Sequence, residues 1–384
     1  MRNKLFVLLL FVLFATGVVL LVKPQSEFSR LEKRTLNTRD DIKIDSVYNG
    51  ELLSDVENVL KDQFIAREPL MKTYFKTKIM LTIGDGIEYL GPNVIQIDDE
   101  LLINNILLYD EEKMNVAANR GYNINEVDLK YPEIKTYVYF PTRIEEFMTL
   151  PSDKLANVGY LYKDQFMTQL NNNISTKSLE INELNEHKEL FYKTDFHWNH
   201  IGAYRGYSDI INMIREDFAI DEPREIVEEI LYPYAFDNGN VASEIGQVSY
   251  FDTIGDYKLD GIKAYELYIN GQKSDLNISK QKYALNGNDS MYSDYDVYYG
   301  DNAYERIFKF DQEDKPNVLV FSDSYFNVIQ EWFASHFNNT VIIDMRANEG
   351  QFDLDYYINE YDIGIILVSQ MYNNLYFNGY MFID

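Results

Sequence analysis

The chain contains no cysteine. That excludes disulfide frameworks, thiolate zinc sites and thiol catalysis. Basic residues are in the minority: 35 Lys and Arg face 62 Asp and Glu, for a formal net charge of −27. A phosphate backbone demands the opposite balance, so nucleic acid is excluded as a partner. Histidine and tryptophan are sparse, at four and two residues among 384. Any cluster of them is therefore informative. What is present suffices for a core: 46% of residues are hydrophobic and 15% aromatic, with 32 Tyr. The length fits one large domain or two medium ones.

One long apolar run interrupts the charged pattern. LFVLLLFVLFATGVVLLV, Leu5 to Val22, carries no charge and is long enough to span a bilayer. No A-x-A cleavage signal follows it. Residues 1–23 read as an uncleaved signal anchor, with a cleaved signal peptide as the alternative. Charges flank both ends, so the charge rule alone leaves the orientation open. The tail before the run is very short, and a long C-terminal domain translocates largely regardless of charge. The expected location is the cell membrane, single-pass, with the domain extracytoplasmic.

Residues 24–47 are polar and read as a stalk. From Glu51 onward Leu52, Leu53, Val56, Val59, Leu60 and Phe64 recur at helical spacing, in a helix expected to break near Pro69. Short strands are expected over 87–102, and TYVYF (136–140), which ends at Pro141, is a further strand. Ile201, Tyr204, Tyr207, Ile211, Ile214 and Phe218 mark one face of a helix capped by Asn199. Residues 219–311, rich in Asp, Tyr, Asn and Gly, read as a β-rich insertion or lid. NVLVF (317–321), TVIIDM (340–345) and DIGIILVS (362–369) are buried-type strands, and NVIQEWFASHF between the first two is helical. Alternating strands and helices imply parallel pairing and a layered α/β domain over 48–384.

The scarce residues converge at TDFHWNHIGAY (194–204), which holds Asp195, His197, Trp198 and His200. Ser324 follows the NVLVF strand and precedes a helix, and ligands of open α/β sheets sit at the carboxyl ends of strands. A serine hydroxyl is a weak nucleophile that needs a base, and a histidine oriented by a carboxylate supplies one. Asp195-x-His197 has the spacing for that pair. The amide of Ser324 itself, at a helix N-terminus, can face a developing oxyanion. A plain helix N-cap at Ser324, with Asp323 beside it, is the structural alternative. Zinc held by Asp195, His197 and His200 is the weaker reading, since no HExxH accompanies them. No metal and no cofactor are expected. His187 and His336 read as ordinary surface or helix positions.

Several blocks together resemble a known family. YKTDFHWNHIGAY is similar to the Asp-x-His-Trp signature of the bacterial DHHW proteins, relatives of the alginate O-acetyltransferases with an SGNH-hydrolase-like fold. ELLSDVENVLKDQFIAREPL resembles that family's N-terminal helix, and YVYFPTRIEEFMTLP its strand and proline loop. FSDSYF resembles its Gly-Asp-Ser-Phe block, and IIDMR a downstream Asp-x-Arg strand end. The resemblance implies a three-layer, SGNH-like (flavodoxin-like) parallel sheet. It implies Ser324 as nucleophile, His197 as base and Asp195 as the orienting carboxylate. It also implies acetyl transfer to cell-surface polysaccharide, from a donor handled by a membrane O-acyltransferase. Ser322 stands where the family has glycine, and Phe196 where it has histidine. Asp323, Tyr325, Arg143 and Arg346 are candidates for substrate or oxyanion contacts, with salt-bridge or packing roles as the alternative. A carbohydrate esterase with the same residues, and a non-catalytic surface binding protein, are the rival functions.

Overall fold

The computed structural model describes residues 7, 11, 22–29, 32, 34–43, 48, 50–81, 87–90, 94–97, 101–104, 107–143, 146, 158–236, 239–245, 252–286, 294–300, 303–347 and 352–369. The expected span Leu5 to Val22 lies outside them apart from Val7, Phe11 and Val22. No helix among the described residues is long and apolar enough to cross a membrane.

The described part of residues 24–47 packs on the helices that follow it. β1 (Phe28–Ser29) pairs with β2 (Arg34–Thr35), and both lie against α1 (Leu52–Asp62) and α2 (Arg67–Leu81). The buried Asp62 carboxylate collects the donors: Arg34 grips it with two nitrogens, and Asn37 adds its backbone and side-chain N–H. Gln63 bonds to Ser26 and Asn37, and Arg67 to Glu32. The helix break falls earlier than Pro69, over Gln63–Ala66, where Ala66 has φ 58°. Pro69 sits in the first turn of α2, where a missing N–H leaves no bond unmade.

A small antiparallel sheet follows, of β3 (Ile87–Tyr89), β4 (Val94–Ile97) and β5 (Leu101–Asn104). The chain continues through α3 (Glu111–Lys130), β6 (Lys135–Phe140), α4 (Gly159–Met167), β7 (Ser175–Ser178), α5 (Leu184–Leu190) and α6 (His200–Ile214). β8 (Ile226–Phe236) and β9 (Asp252–Leu259) form an antiparallel ribbon around the one-turn α7 (Asn240–Ser243). Then come β10 (Tyr265–Ile269), β11 (Gln272–Ser274), α8 (Leu276–Asn286), α9 (Asp294–Tyr299) and β12 (Glu305–Phe310). The last described elements are β13 (Asn317–Ser322), α10 (Gln330–Ala334), β14 (Asn339–Ile343), α11 (Leu354–Tyr361) and β15 (Ile363–Ser369).

The main sheet has eight strands in the order β11-β10-β12-β14-β13-β15-β6-β7. From β14 to β7 all pairings are parallel. The sheet is nevertheless mixed, not wholly parallel, because β12, β10 and β11 add antiparallel at the β14 edge. Residues 219–311 thus extend the central sheet as well as forming the β8–β9 ribbon.

Both faces of the sheet are covered, which is why its strands read as unbroken apolar runs. Val318 and Val320 of β13 face a core shared with Tyr207 and Ile210 of α6 and Trp332 of α10. Leu319 and Phe321 face the opposite core, with Ile124 of α3, Phe166 of α4 and Tyr357 of α11. These are three layers, helix–sheet–helix. β13 lies inside the parallel part of the sheet, between β14 and β15. Ligands of open α/β sheets sit at the carboxyl ends of the strands, and Ser324 follows β13 there.

Candidate active site

Phe191 to Trp198 form a tight loop that doubles back on itself. Phe191 bridges Trp198, Tyr192 N donates to His197 O at 3.2 Å, and Asn199 N to Leu190 O at 2.9 Å. Three remote segments hold the tip. Leu102 N, at the start of β5, donates to Lys193 O. Val241 N and Ala242 N of α7 donate to Thr194 O. The Asp252 carboxylate accepts from Lys193 N, Thr194 N and Thr194 Oγ1 at 2.8, 2.9 and 2.6 Å. Approach at α7 is so close that a Cβ on Gly239 would lie 2.2 Å from Thr194 O. Only glycine fits there.

This loop aims Asp195 and His197 at the end of β13. His197 Nε2 lies 2.8 Å from Ser324 Oγ, and Nδ1 lies 2.6 Å from Asp195 Oδ1. The same Asp195 oxygen accepts His197 N at 3.0 Å, and Oδ2 accepts Asn240 N at 2.6 Å. A carboxylate only accepts, so Nδ1 carries the proton and Nε2 is left to accept from the serine hydroxyl. Asp323, not Ser324, caps the following 3₁₀ turn, its side chain accepting Tyr325 N at 3.0 Å. The Ser324 hydroxyl is thereby left for His197. Ser324 is 4% and His197 1% exposed.

The remaining candidates are placed as follows. Tyr325 is fully buried, donates its hydroxyl to Phe196 O, and packs its ring 5.0 Å from that of His197. Trp198 Nε1 donates to Tyr325 O at 2.9 Å. Loop and turn are therefore tied reciprocally, and Tyr325 positions rather than faces a ligand. Arg143 is buried near Glu146 and lines a small cavity with Asp195 and Phe196, on the carboxylate side of the loop. Arg346 pairs with both oxygens of Asp344, at 2.9 and 2.6 Å. Asp323 is spent on the cap. His200 does not join His197: its Nε2 lies 2.9 Å from Glu229 Oε1, and its ring rests on Gly255. Among the described residues no group of three metal-binding side chains occurs.

Tyr295 of α9 completes the site without having been singled out. Its ring stacks on His197 at 3.8 Å and 5°, and its hydroxyl donates to Ser324 O at 2.7 Å. The signal was available in DYDVYY, where Tyr295, Tyr298 and Tyr299 share a helical face. Asn240, which contributes through its backbone, leaves no such signal.

His187 and His336 are buried, not surface, residues. His187 stacks on Phe191 at 4.2 Å, and His336 Nε2 lies 2.7 Å from the Tyr207 hydroxyl. Burial pushes both imidazoles down to about 3. In the unfolded chain each charges below about 6.5. The stability this contributes is present above that pH and lost as pH falls. Asp252 has the opposite sign. Burial, opposed by its hydrogen bonds, pushes it up to about 6. Between about 4 and 6 the fold thus keeps a proton that the unfolded chain loses, and stability falls as pH rises. Two imidazoles outweigh one carboxyl. The thermal unfolding midpoint is therefore expected to fall from pH 7 to pH 5, and His187→Phe to remove most of that slope. An unchanged slope in the variant would contradict the assignment.

The sequence matches no protein-family model and no curated protein. Among solved structures, PatB1 of Bacillus cereus is similar at TM-score 0.65 and 22% identity, over 76% of this chain and 100% of that one. PatB1 with a sulfonyl adduct gives TM-score 0.62 and 20% identity, over 75% and 99%. A DHHW family protein from Eubacterium siraeum gives TM-score 0.56 and 18% identity, over 77% and 95%. Identities this low speak for architecture, and the architecture agrees with the motifs: the chain has the fold of a DHHW family protein.

Proposed function

We propose that the chain is a membrane-anchored, extracytoplasmic carbohydrate O-acetyltransferase that modifies cell-surface polysaccharide through Ser324, His197 and Asp195. The observation that carries this reading is the continuous hydrogen-bonded chain Asp195–His197–Ser324 at the carboxyl end of β13. His197 Nε2 takes the hydroxyl proton as Ser324 Oγ attacks the acetyl carbonyl carbon. The bond to the donor's leaving group breaks, and His197 returns the proton to that group. A sugar hydroxyl then gives its proton to His197 and attacks the acyl carbon. The bond to Oγ breaks, and the proton returns to the serine. Asp195 keeps the imidazole in the required tautomer throughout and stabilises its cationic form. The apolar run Leu5 to Val22 supports the anchor, and a membrane O-acyltransferase is the proposed source of acetyl.

The test follows p-nitrophenyl acetate turnover by the full chain with an oligosaccharide acceptor, beside Ser324→Ala. Acetylated sugar from wild type alone is the expected result. p-Nitrophenol without acetylated sugar would establish the esterase instead. Sulfonyl electrophiles form adducts with activated hydroxyls, so such a reagent should label wild type and spare Ser324→Ala. Equal turnover and equal labelling of the two proteins would overturn the reading.

A further inference from the structure

A second concavity lies at the antiparallel edge of the sheet, between the β8–β9 ribbon, β10, α8, α9 and α10. Its volume is about 480 Å³, within the roughly 300–1,000 Å³ of small-molecule sites. None of Asp195, His197 and Ser324 lines it. It is nonetheless adjacent to them. Tyr298 of α9 lines it, and Tyr295, one helical turn earlier, stacks on His197.

The lining combines two chemistries. Tyr232, Tyr257 and Tyr265 are half-buried, and Trp332 closes the floor. The Tyr257 ring lies 6.2 Å from Trp332, inclined at 33°, and the Tyr232 ring 5.6 Å from that of Tyr298. Set among these rings are Asp256, Lys280 and Glu331. Lys280 Nζ lies 2.5 Å from Asp256 Oδ2, and the Tyr265 hydroxyl donates to Glu331 Oε1 at 2.8 Å.

A purely apolar ligand would cover the partly exposed Glu331 and Lys280 without replacing their water, which is costly. A phosphate ligand would meet Asp256 and Glu331 as well as Lys258, Lys263 and Lys280, and Lys280 is already held by Asp256, so the lining offers no concentrated cationic site for it. An ion pair sunk into an aromatic wall also does little for stability by itself. A pyranose fits both halves of the lining. Its C–H faces pack on rings, and its equatorial hydroxyls bond to carboxylate and ammonium groups. We propose that this cavity is a glycan-binding subsite, taking one or more saccharide units of a chain whose neighbouring unit reaches Ser324. The assignment of the glycan as the acetyl acceptor rests on the function proposed above, whereas the binding itself does not.

The experiment measures binding by titration calorimetry on the full chain carrying Ser324→Ala, which blocks turnover, against a panel of neutral and uronic-acid tetrasaccharides. At least one member is expected to bind. Tyr257→Ala and, on the opposite wall, Tyr232→Ala are each expected to weaken that binding about tenfold or more. Tyr257→Phe keeps the ring and should bind as the parent does, which separates loss of stacking from loss of fold. Binding by no member of the panel, or binding unchanged in both alanine variants, would overturn the proposal. The two readings fail separately. If acetyl transfer is absent but ring-dependent binding is present, the cavity assignment stands and the enzymatic one falls. If acetylation proceeds with the same acceptor KM in wild type and Tyr257→Ala, the cavity is not the acceptor subsite.

Discussion

Asp195→Asn is expected to lower acetyl transfer by about 10³–10⁴-fold, with the fold retained. The magnitude follows from what a carboxamide does to a histidine held by a carboxylate. Asp195 presents acceptors on both sides: Oδ1 to His197 N and Nδ1, Oδ2 to Asn240 N. Asparagine has one acceptor oxygen, and its NH₂ must replace the other. Turned one way, the NH₂ meets the Asn240 amide, and the imidazole loses the charge that stabilises its cation. Turned the other way, the NH₂ meets Nδ1, forces the proton to Nε2, and leaves the Ser324 hydroxyl with no base. Both orientations put a donor against a donor. Kinetics of the variant, with its circular dichroism and unfolding midpoint, check the claim. A loss below about tenfold would mean that Asp195 does not act through His197.

The second large effect is on stability. Trp198→Ala should destabilise the protein by about 3–5 kcal/mol, the usual range for emptying a buried aromatic site. Trp198 is fully buried, with its ring against Gly206, where a Cβ would lie only 2.5 Å away. The surrounding backbone has little room to collapse into the void. The lost Nε1 bond also removes one hydrogen bond to the Tyr325 carbonyl, worth about 0.5–1.5 kcal/mol. Trp198→Phe isolates that second contribution, and it should slow turnover as well, because this bond ties the His197 loop to the Ser324 turn. Urea unfolding measures both variants. A change below about 1 kcal/mol for the alanine variant would show that the loop is held by its other contacts alone.

The parts of this architecture that were legible in the sequence are those with a local signature. NVLVF and DIGIILVS announce strands buried on both faces. Asp195 and His197 announce a pair through spacing, and the structure brings them to Ser324. The Gln63–Ala66 break escaped because Pro69, the visible breaker, is tolerated in a first turn. The antiparallel edge escaped because β10 and β12 lie in a segment that reads as an insertion, and no local pattern says that an insertion extends the central sheet. The hold on Thr194 and Asp195 is made by backbone N–H groups of 240–242 and by Asp252. Amides have no letter in a sequence, and Asp252 looks like one acidic residue among 62. Burial of His187 and His336 depends on tertiary packing, which no local pattern encodes.

The pairing of β6 with β15 also sets a timetable. Lys135 lies beside Ile365, and Tyr139 beside Ser369, so an early strand waits for the last described one before it gains its inner neighbour. Until β15 is synthesised, β6 has an open edge facing where the sheet's centre will be, and β13 has no bridge to it. Closure of the sheet is therefore a late event with a large loop-closure cost, the topology that folds slowly. A nascent chain would display unpaired aromatic strands and would depend on holding factors in that interval. Labelling of Ser324, the proposed nucleophile, would then appear only after β15 has been made, and would serve as a clock for assembly.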